Sequence, residues 1–214
     1  DSTKKDLLIG KFGSGTKNAI CVLLRNGLTP IVFASTLKME FSTQTVTVQD
    51  EMSSKNINRI RVKYSGKEDN GKTKNNTDVL AMTTDFGKLV WDSTNLALRE
   101  FVSNAIDFCI RREGHWNNVE IEIVDENQVR AKAGTTRIFI PVNDTVTQFY
   151  LNLGRWFLHF SDTNDLFKSI LPKTNRNFSE KKSAVIYRRG VFVREFTTGN
   201  TPSLFDYNIK DLPL

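Results

Sequence analysis

The run Ala19-Ile20-Cys21-Val22-Leu23-Leu24 has no polar face, and a helix apolar around its whole girth has to be buried. It follows Gly13-Ser14-Gly15 and stops at Gly27, a residue suited to the position just past a helix, so a helix is expected over Thr16–Asn26. The segments Ile31–Phe41, Gln44–Gln49 and Ile57–Tyr64 are rich in Val, Ile, Phe and Thr and partly alternate, which predicts an antiparallel meander. Ser65–Asn76, with Gly66, Gly71 and a cluster of Lys, Asn and Asp, reads as an exposed loop. A second helix is expected over Thr94–Arg112, with N-caps at Asp92, Ser93 or Thr94 and basic residues in its last turn.

Past Gly114, Val119–Val124 alternates like a half-buried strand, and Val129–Ala133 and Arg137–Val142 flank the turn Gly134-Thr135-Thr136. A helix over Thr145–Phe160, interrupted at Gly154, is expected next, then Asp162–Glu180 without a period. Val185–Arg189 and Val191–Phe196 read as a hairpin about Gly190, and Leu204–Ile209 as an edge strand. The pattern predicts an α+β fold, a two-layer sandwich of one mixed, mostly antiparallel sheet with helices on one face.

At 214 residues and 39% hydrophobic, the chain can bury a real core, and a single domain over 1–214 is expected. The net charge of +6 favours polyanionic partners, nucleotides or nucleic acid. Two cysteines exclude a disulfide framework and a four-cysteine zinc site; Cys21 and Cys109 read as buried thiols. No apolar run approaches the ~20 residues of a membrane span, and Asp1-Ser2-Thr3-Lys4-Lys5-Asp6 lacks both Met and a signal-peptide core. A soluble protein of the reducing cytoplasm is expected, and a chain that starts this way reads as a fragment of a longer one.

Chemistry concentrates in two places. In Gly10-Lys11-Phe12-Gly13-Ser14-Gly15-Thr16-Lys17 the glycines let a ligand approach the backbone, and the helix start with Lys17 suits a phosphate. Thr16-Lys17 reverses the Lys-Thr order of a Walker A loop, and Asn18 replaces the third small residue of a dinucleotide fingerprint. The alternative is a tight loop that only lets a buried helix start close to a sheet. In the second helix, Glu100, Asn104 and Asp107 lie at i, i+4 and i+7, on one stripe that Arg111 continues. A carboxylate there can take a proton from water, and an amide oxygen one turn on can ligate Mg²⁺. The same geometry also fits the solvated face of an amphipathic helix.

Leu98-Arg99-Glu100-Phe101-Val102-Ser103-Asn104-Ala105-Ile106-Asp107 resembles the N-box helix, E-x-x-x-N-x-x-D, of the GHKL ATPases (gyrase, ninety-kilodalton heat-shock chaperones, sensor histidine kinases, mismatch-repair MutL proteins). Ile9-Gly10-Lys11-Phe12-Gly13-Ser14-Gly15 is similar to the family's second glycine box, G-x-F-G-x-G, and Gly134-Thr135-Thr136 to its Gly-Thr strand beside the adenine pocket. The resemblance implies a Bergerat-like ATP-binding fold with ATP and Mg²⁺ as cofactors. Glu100 would be the general base, Asn104 the metal ligand, and Asp107 and Thr135 nucleotide neighbours. Gly10, Lys11, Gly13, Ser14, Gly15, Thr16 and Lys17 would cradle the triphosphate, and lid ordering would drive a conformational change or homodimerisation. Two departures stand out: the glycine box precedes the N-box, a circularly permuted order, and no D-x-G-x-G box occurs, Asp125-Glu126-Asn127 lacking the glycines.

His115 and His159 have no phospho-acceptor helix or metal-ligand spacing around them and read as structural or surface residues. Two basic stretches remain: Lys55–Lys74, with seven basic residues against two acidic, and Lys173–Arg189, with six against one. They carry the competing expectation, a nucleic-acid-binding or scaffold module with a degenerate nucleotide site.

Overall fold

The computed structural model describes residues 15–50, 53–68, 70–89, 91–161, 165–173, 182–197, 199 and 201–210. They divide into two compact units. Of these residues, the first holds those within 15–100 and 122–147, the second those within 101–121 and 148–210.

In the first unit, α1 (Gly15–Arg25) follows the apolar run, and Ala19, Cys21, Val22 and Leu23 are fully buried. Its end is a Schellman motif: Gly27 takes φ 73°, its N–H donates to Leu24 O at 3.2 Å, and the Leu28 N–H donates to Leu23 O at 2.8 Å. The sheet that covers it has six strands: β1 (Ile31–Ala34), β2 (Leu37–Asp50), β3 (Ser53–Lys67), β4 (Thr73–Lys74), β5 (Thr77–Thr83) and β6 (Thr136–Phe139). The order is β4-β3-β2-β1-β6, with β5 also on β3, and every pairing is antiparallel.

A two-residue turn at Ser35–Thr36, Ser35 at φ 54°, divides the expected Ile31–Phe41 strand, and the remainder joins Gln44–Gln49 in one long β2. The core side of β3 carries Ile60 and Val62, both essentially inaccessible. Beyond the reach of β1 and β5, Val46–Asp50 and Ser53–Ile57 pair only with one another, as a two-stranded ribbon with most side chains exposed.

Helix α2 (Thr94–Glu113) is continuous, and the division between the units falls within it, after Glu100. The segment Val119–Val124, expected as a strand, forms no ladder; Val119 and Ile121 are half-buried and Glu120 and Glu122 exposed, but Ile123 breaks the alternation at 50% exposed. It runs from one unit into the other, and alternation alone does not provide a partner strand. Val129–Ala133 is likewise no strand, and a 3₁₀ turn occupies Glu126–Gln128.

The expected helix Thr145–Phe160 is three pieces: α3 (Asp144–Leu151), which begins in the first unit and ends in the second, then α4 (Leu153–Trp156) and a 3₁₀ turn (Leu158–Phe160) in the second. The break comes at Asn152 rather than Gly154. A second sheet stands in place of the single one expected: β7 (Ile170–Pro172), β8 (Ser183–Arg188), β9 (Val191–Thr197) and β10 (Phe205–Ile209), in the order β7-β10-β8-β9. The β8–β9 turn holds Arg189 and Gly190 at φ 49° and 78°, the two positive angles of a type I′ hairpin. Strand β10 is interior, parallel to β8 and antiparallel to β7, not at an edge. Leu158, Leu166, Leu171, Val185 and Tyr187 form the core here, with Trp116 and Phe192 against it. Both units are mixed α+β with antiparallel pairing dominant.

Candidate functional site

The site grows from the first residue of α1. Gly15 is buried, and a Cβ placed on it would lie 1.7 Å from Oε1 and 2.9 Å from Oε2 of Glu100. Only a residue without a side chain admits that carboxylate so close to the helix start. The first turn of α1 holds no acidic residue of its own, so Glu100, from α2, supplies the negative charge that the positive end of a helix attracts. The glycine turn and the carboxylate of the polar stripe, some 85 residues apart in sequence, are thus neighbours in the first unit.

Thr16 and Lys17 are exposed in that first turn. Gly10, Lys11, Gly13 and Ser14, singled out as a phosphate cradle, lie outside the described residues.

The stripe itself is not a solvated face. Glu100 and Asn104 are half-buried and Asp107 is 5% exposed, while Phe108, beside them, is 59% exposed. In the second half of α2 the buried arc is Ser103, Ile106, Asp107 and Ile110, and Arg111 and Arg112 are exposed. Burying a carboxylate costs several kcal/mol unless it is partnered, and Glu100, Asn104 and Asp107 all engage partners. Beside them, burial pulls the Arg99 guanidinium below its ordinary pKa, and the charge of Glu100 opposes that shift.

Thr135 is used locally. Its hydroxyl donates to Lys132 O at 2.8 Å, its carbonyl accepts the Ser35 N–H at 2.8 Å, and Gly134 N–H donates to Ser35 Oγ at 3.1 Å. It ties the β6 turn to the β1–β2 turn, and Gly15 and Glu100 are the pair that the fold brings into contact.

Two residues escaped the sequence reading. Asn18 Oδ1, one turn into α1, is buried without a hydrogen-bond partner. It lies over Gly87, where a Cβ would come within 2.2 Å of it and φ is +71°. At the far end of α1, Arg25 donates to the carbonyls of Thr84, Phe86 (3.1 Å) and Trp91, closing the 84–91 turn around its guanidinium. A polar cleft of about 640 Å³ opens there, lined in part by Arg25, Thr43, Asn58, Asp85, Lys88 and Asp92. The only available signals were an Arg in a helix's last turn and a glycine in a later loop.

In the second unit, His159 is 9% exposed, neither ring nitrogen has a hydrogen-bond partner, and burial lowers its pKa to about 4. It stacks edge-on against Trp116 with ring centroids 5.2 Å apart, and the Trp116 Nε1–H donates to its carbonyl at 3.2 Å. It is a neutral core residue, in line with the structural role expected of it. Cys21 is buried and Cys109 half-buried; burial raises both thiol pKa values, so neither is an activated nucleophile.

Among the described residues, no three His, Cys, Asp or Glu side chains group as a metal site, and no helix is long and apolar enough to cross a membrane. Set against known proteins, the chain matches no family model, no curated sequence and no solved structure.

Proposed function

We propose that this chain is a Mg²⁺-dependent ATP-binding module that hydrolyses ATP to ADP and phosphate and uses the cycle to change conformation. The observation that supports the reading is the close approach of Gly15 to the Glu100 carboxylate. An anion site and a proton acceptor are what hydrolysis at a terminal phosphate needs side by side. The N-terminus of α1, with its N–H groups, positive dipole end and the exposed Lys17, attracts phosphate oxygens. Glu100 takes a proton from water as the water oxygen bonds to the terminal phosphorus and the bond to the ADP oxygen breaks.

Asn104 stands one helical turn beyond Glu100 on α2, and Asp107 nearly another turn on. An amide oxygen and no carboxylate cage suits Mg²⁺, which keeps most of its shell for water and phosphate oxygens. The GHKL resemblance would make Asn104 the ligand of the ion, which when bound neutralises charge on a phosphate. The absence of a D-x-G-x-G box leaves Asp107 as the residue for the nucleotide end that the GHKL resemblance assigns.

The test is calorimetric titration with a non-hydrolysable ATP analogue and Mg²⁺, paired with phosphate release from ATP. Micromolar binding is expected in the parent and in Glu100→Gln, and its loss in Asn104→Ala. Turnover should fall at least ~100-fold in Glu100→Gln, the scale of removing a general base. Absence of binding by the parent, or undiminished turnover in Glu100→Gln, would refute the reading.

A further inference from the structure

The first unit carries a charged surface that the nucleotide reading does not use. Along β3, Ile60 and Val62 point into the core, so the alternation of a strand turns Lys55, Ile57, Arg59, Arg61 and Lys63 to the opposite face. Lys55, Arg61 and Lys63 are exposed and Arg59 is half-buried. The strand register places Glu40 opposite Lys63, Ser42 opposite Arg61, Gln44 opposite Arg59 and Val48 opposite Lys55. Directly opposite these cations stands one acid, Glu40, with which Lys38, at 2.8 Å, already pairs, Lys63 lying 4.0 Å away; Asp50, opposite Ser53, shares the face at its far end. Among the described residues, Lys55, Arg59 and Arg61 make no ion pair, and Arg59 Nε is buried without an acceptor. Four cations on one strand with this little neutralisation repel one another unless an anionic partner joins them.

The geometry is that of a straight row. At about 3.4 Å per residue, Lys55 to Lys63 spans roughly 27 Å, about eight base-pair rises of a duplex. Its distal end lies on the two-stranded ribbon beyond β1 and β5, a shape that enters a groove about 12 Å wide. No aromatic residue falls on this face of β2, β3 or β5, since Phe41 and Tyr64 have the other parity. These three strands therefore provide no base stacking, the main means of holding single strands.

We propose that the outward face of β3 and its ribbon binds duplex nucleic acid through the phosphate backbone, without reading sequence. This inference stands apart from the ATP reading: its residues and its test involve no nucleotide.

The experiment is fluorescence anisotropy of the full chain with a labelled 16-base-pair duplex of mixed sequence, between about 50 and 200 mM salt. With four cations on phosphates, log K should fall against log salt with a slope of about −3.6, equally for a scrambled duplex. The exposed triple variant Lys55→Gln/Arg61→Gln/Lys63→Gln should bind about 100-fold more weakly, with a slope near −1. A control, Arg111→Gln/Arg112→Gln/Lys132→Gln, removes the same charge elsewhere and should bind as the parent does; thermal melts establish that both variants fold. The proposal is overturned if the two triple variants weaken binding equally. It is also overturned if a single strand of equal length binds more tightly than the duplex, or if phosphatidylserine vesicles bind while the duplex does not.

Discussion

Replacing Gly15 with Ala asks whether the Glu100 carboxylate is positioned by the absence of a side chain. The new Cβ would lie 1.7 Å from Oε1 and 2.2 Å from Cδ, so the carboxylate must retreat by about 2 Å to reach ordinary carbon–oxygen contact. Gly15 begins a regular helix, which accommodates Ala, and Ala gains up to ~1 kcal/mol over Gly in helix propensity. Because the clash is with the end of a flexible, half-buried side chain, the steric cost itself is small. What is lost is the attraction between carboxylate and helix terminus, about 0.3–1 kcal/mol and at most ~2. The two terms nearly cancel, and the melting temperature should move by less than about 4 °C.

Turnover behaves differently. Displacing a reacting group by ~1 Å can cost on the order of 100-fold in rate, so Gly15→Ala should lose phosphate release while staying folded. In a Glu100→Ala background the clash is gone, and Gly15→Ala should then be neutral to slightly stabilising, without further effect on turnover. Thermal melts and phosphate release on the four members of this cycle decide it. Wild-type turnover in Gly15→Ala, or stability effects that simply add, would refute the claim that the two residues act through their contact.

Two more predictions concern the second unit. His159 binds its proton only near pH 4 when folded and near 6.5 when unfolded, so stability is full above pH 6.5 and falls towards pH 4 by roughly 3 kcal/mol; His159→Phe should flatten that limb in urea midpoints taken at pH 7, 5 and 4, and an unchanged slope would contradict the assignment. Asp206 is fully buried, accepts the Val185 N–H at 2.8 Å and lies 3.8 Å from Lys173 Nζ, which also donates to Ser183 O, so Asp206→Ala should cost about 3–5 kcal/mol by removing the carboxylate that balances that buried charge, whereas Lys173→Met/Asp206→Leu together should cost less in denaturant unfolding.

The first two helices were legible in the sequence because their signals are local, whereas the one expected over Thr145–Phe160 breaks into three pieces. The apolar run of α1 and its Gly27 end set both boundaries to within a residue, and Thr94 starts α2 as its caps imply. What periodicity does not carry is the partner. Val119–Val124 has a strand's alternation and no neighbour, and Leu204–Ile209 reads as an edge although β10 sits between β7 and β8. Two sheets rather than one follow from pairings such as Tyr207 with Ile186, which no local pattern encodes. At the candidate site, the residue types at Gly15 and Glu100 were readable and their contact was not. The burial of Asp107 was not readable, because spacing defines a face without saying which way it turns. Asn18 and Arg25 gave no warning, since their roles depend on a distant turn at Thr84–Trp91.

The pairing of Ile31 with Phe139 sets the tempo at which this chain can be made. The β2–β3 ribbon pairs strands that are adjacent in sequence and can zip within microseconds of leaving a ribosome. Strand β1 has to wait for β6 through more than a hundred further residues, among them the whole of 101–121, which belong to the other unit. At about 5–20 residues per second the wait lasts several seconds or more. During that interval one border of the young sheet offers bare N–H and C=O groups, the condition in which nascent chains stick to one another. Slowing translation between codons 35 and 135 should therefore lower the soluble yield, and supplying a holding chaperone should restore it.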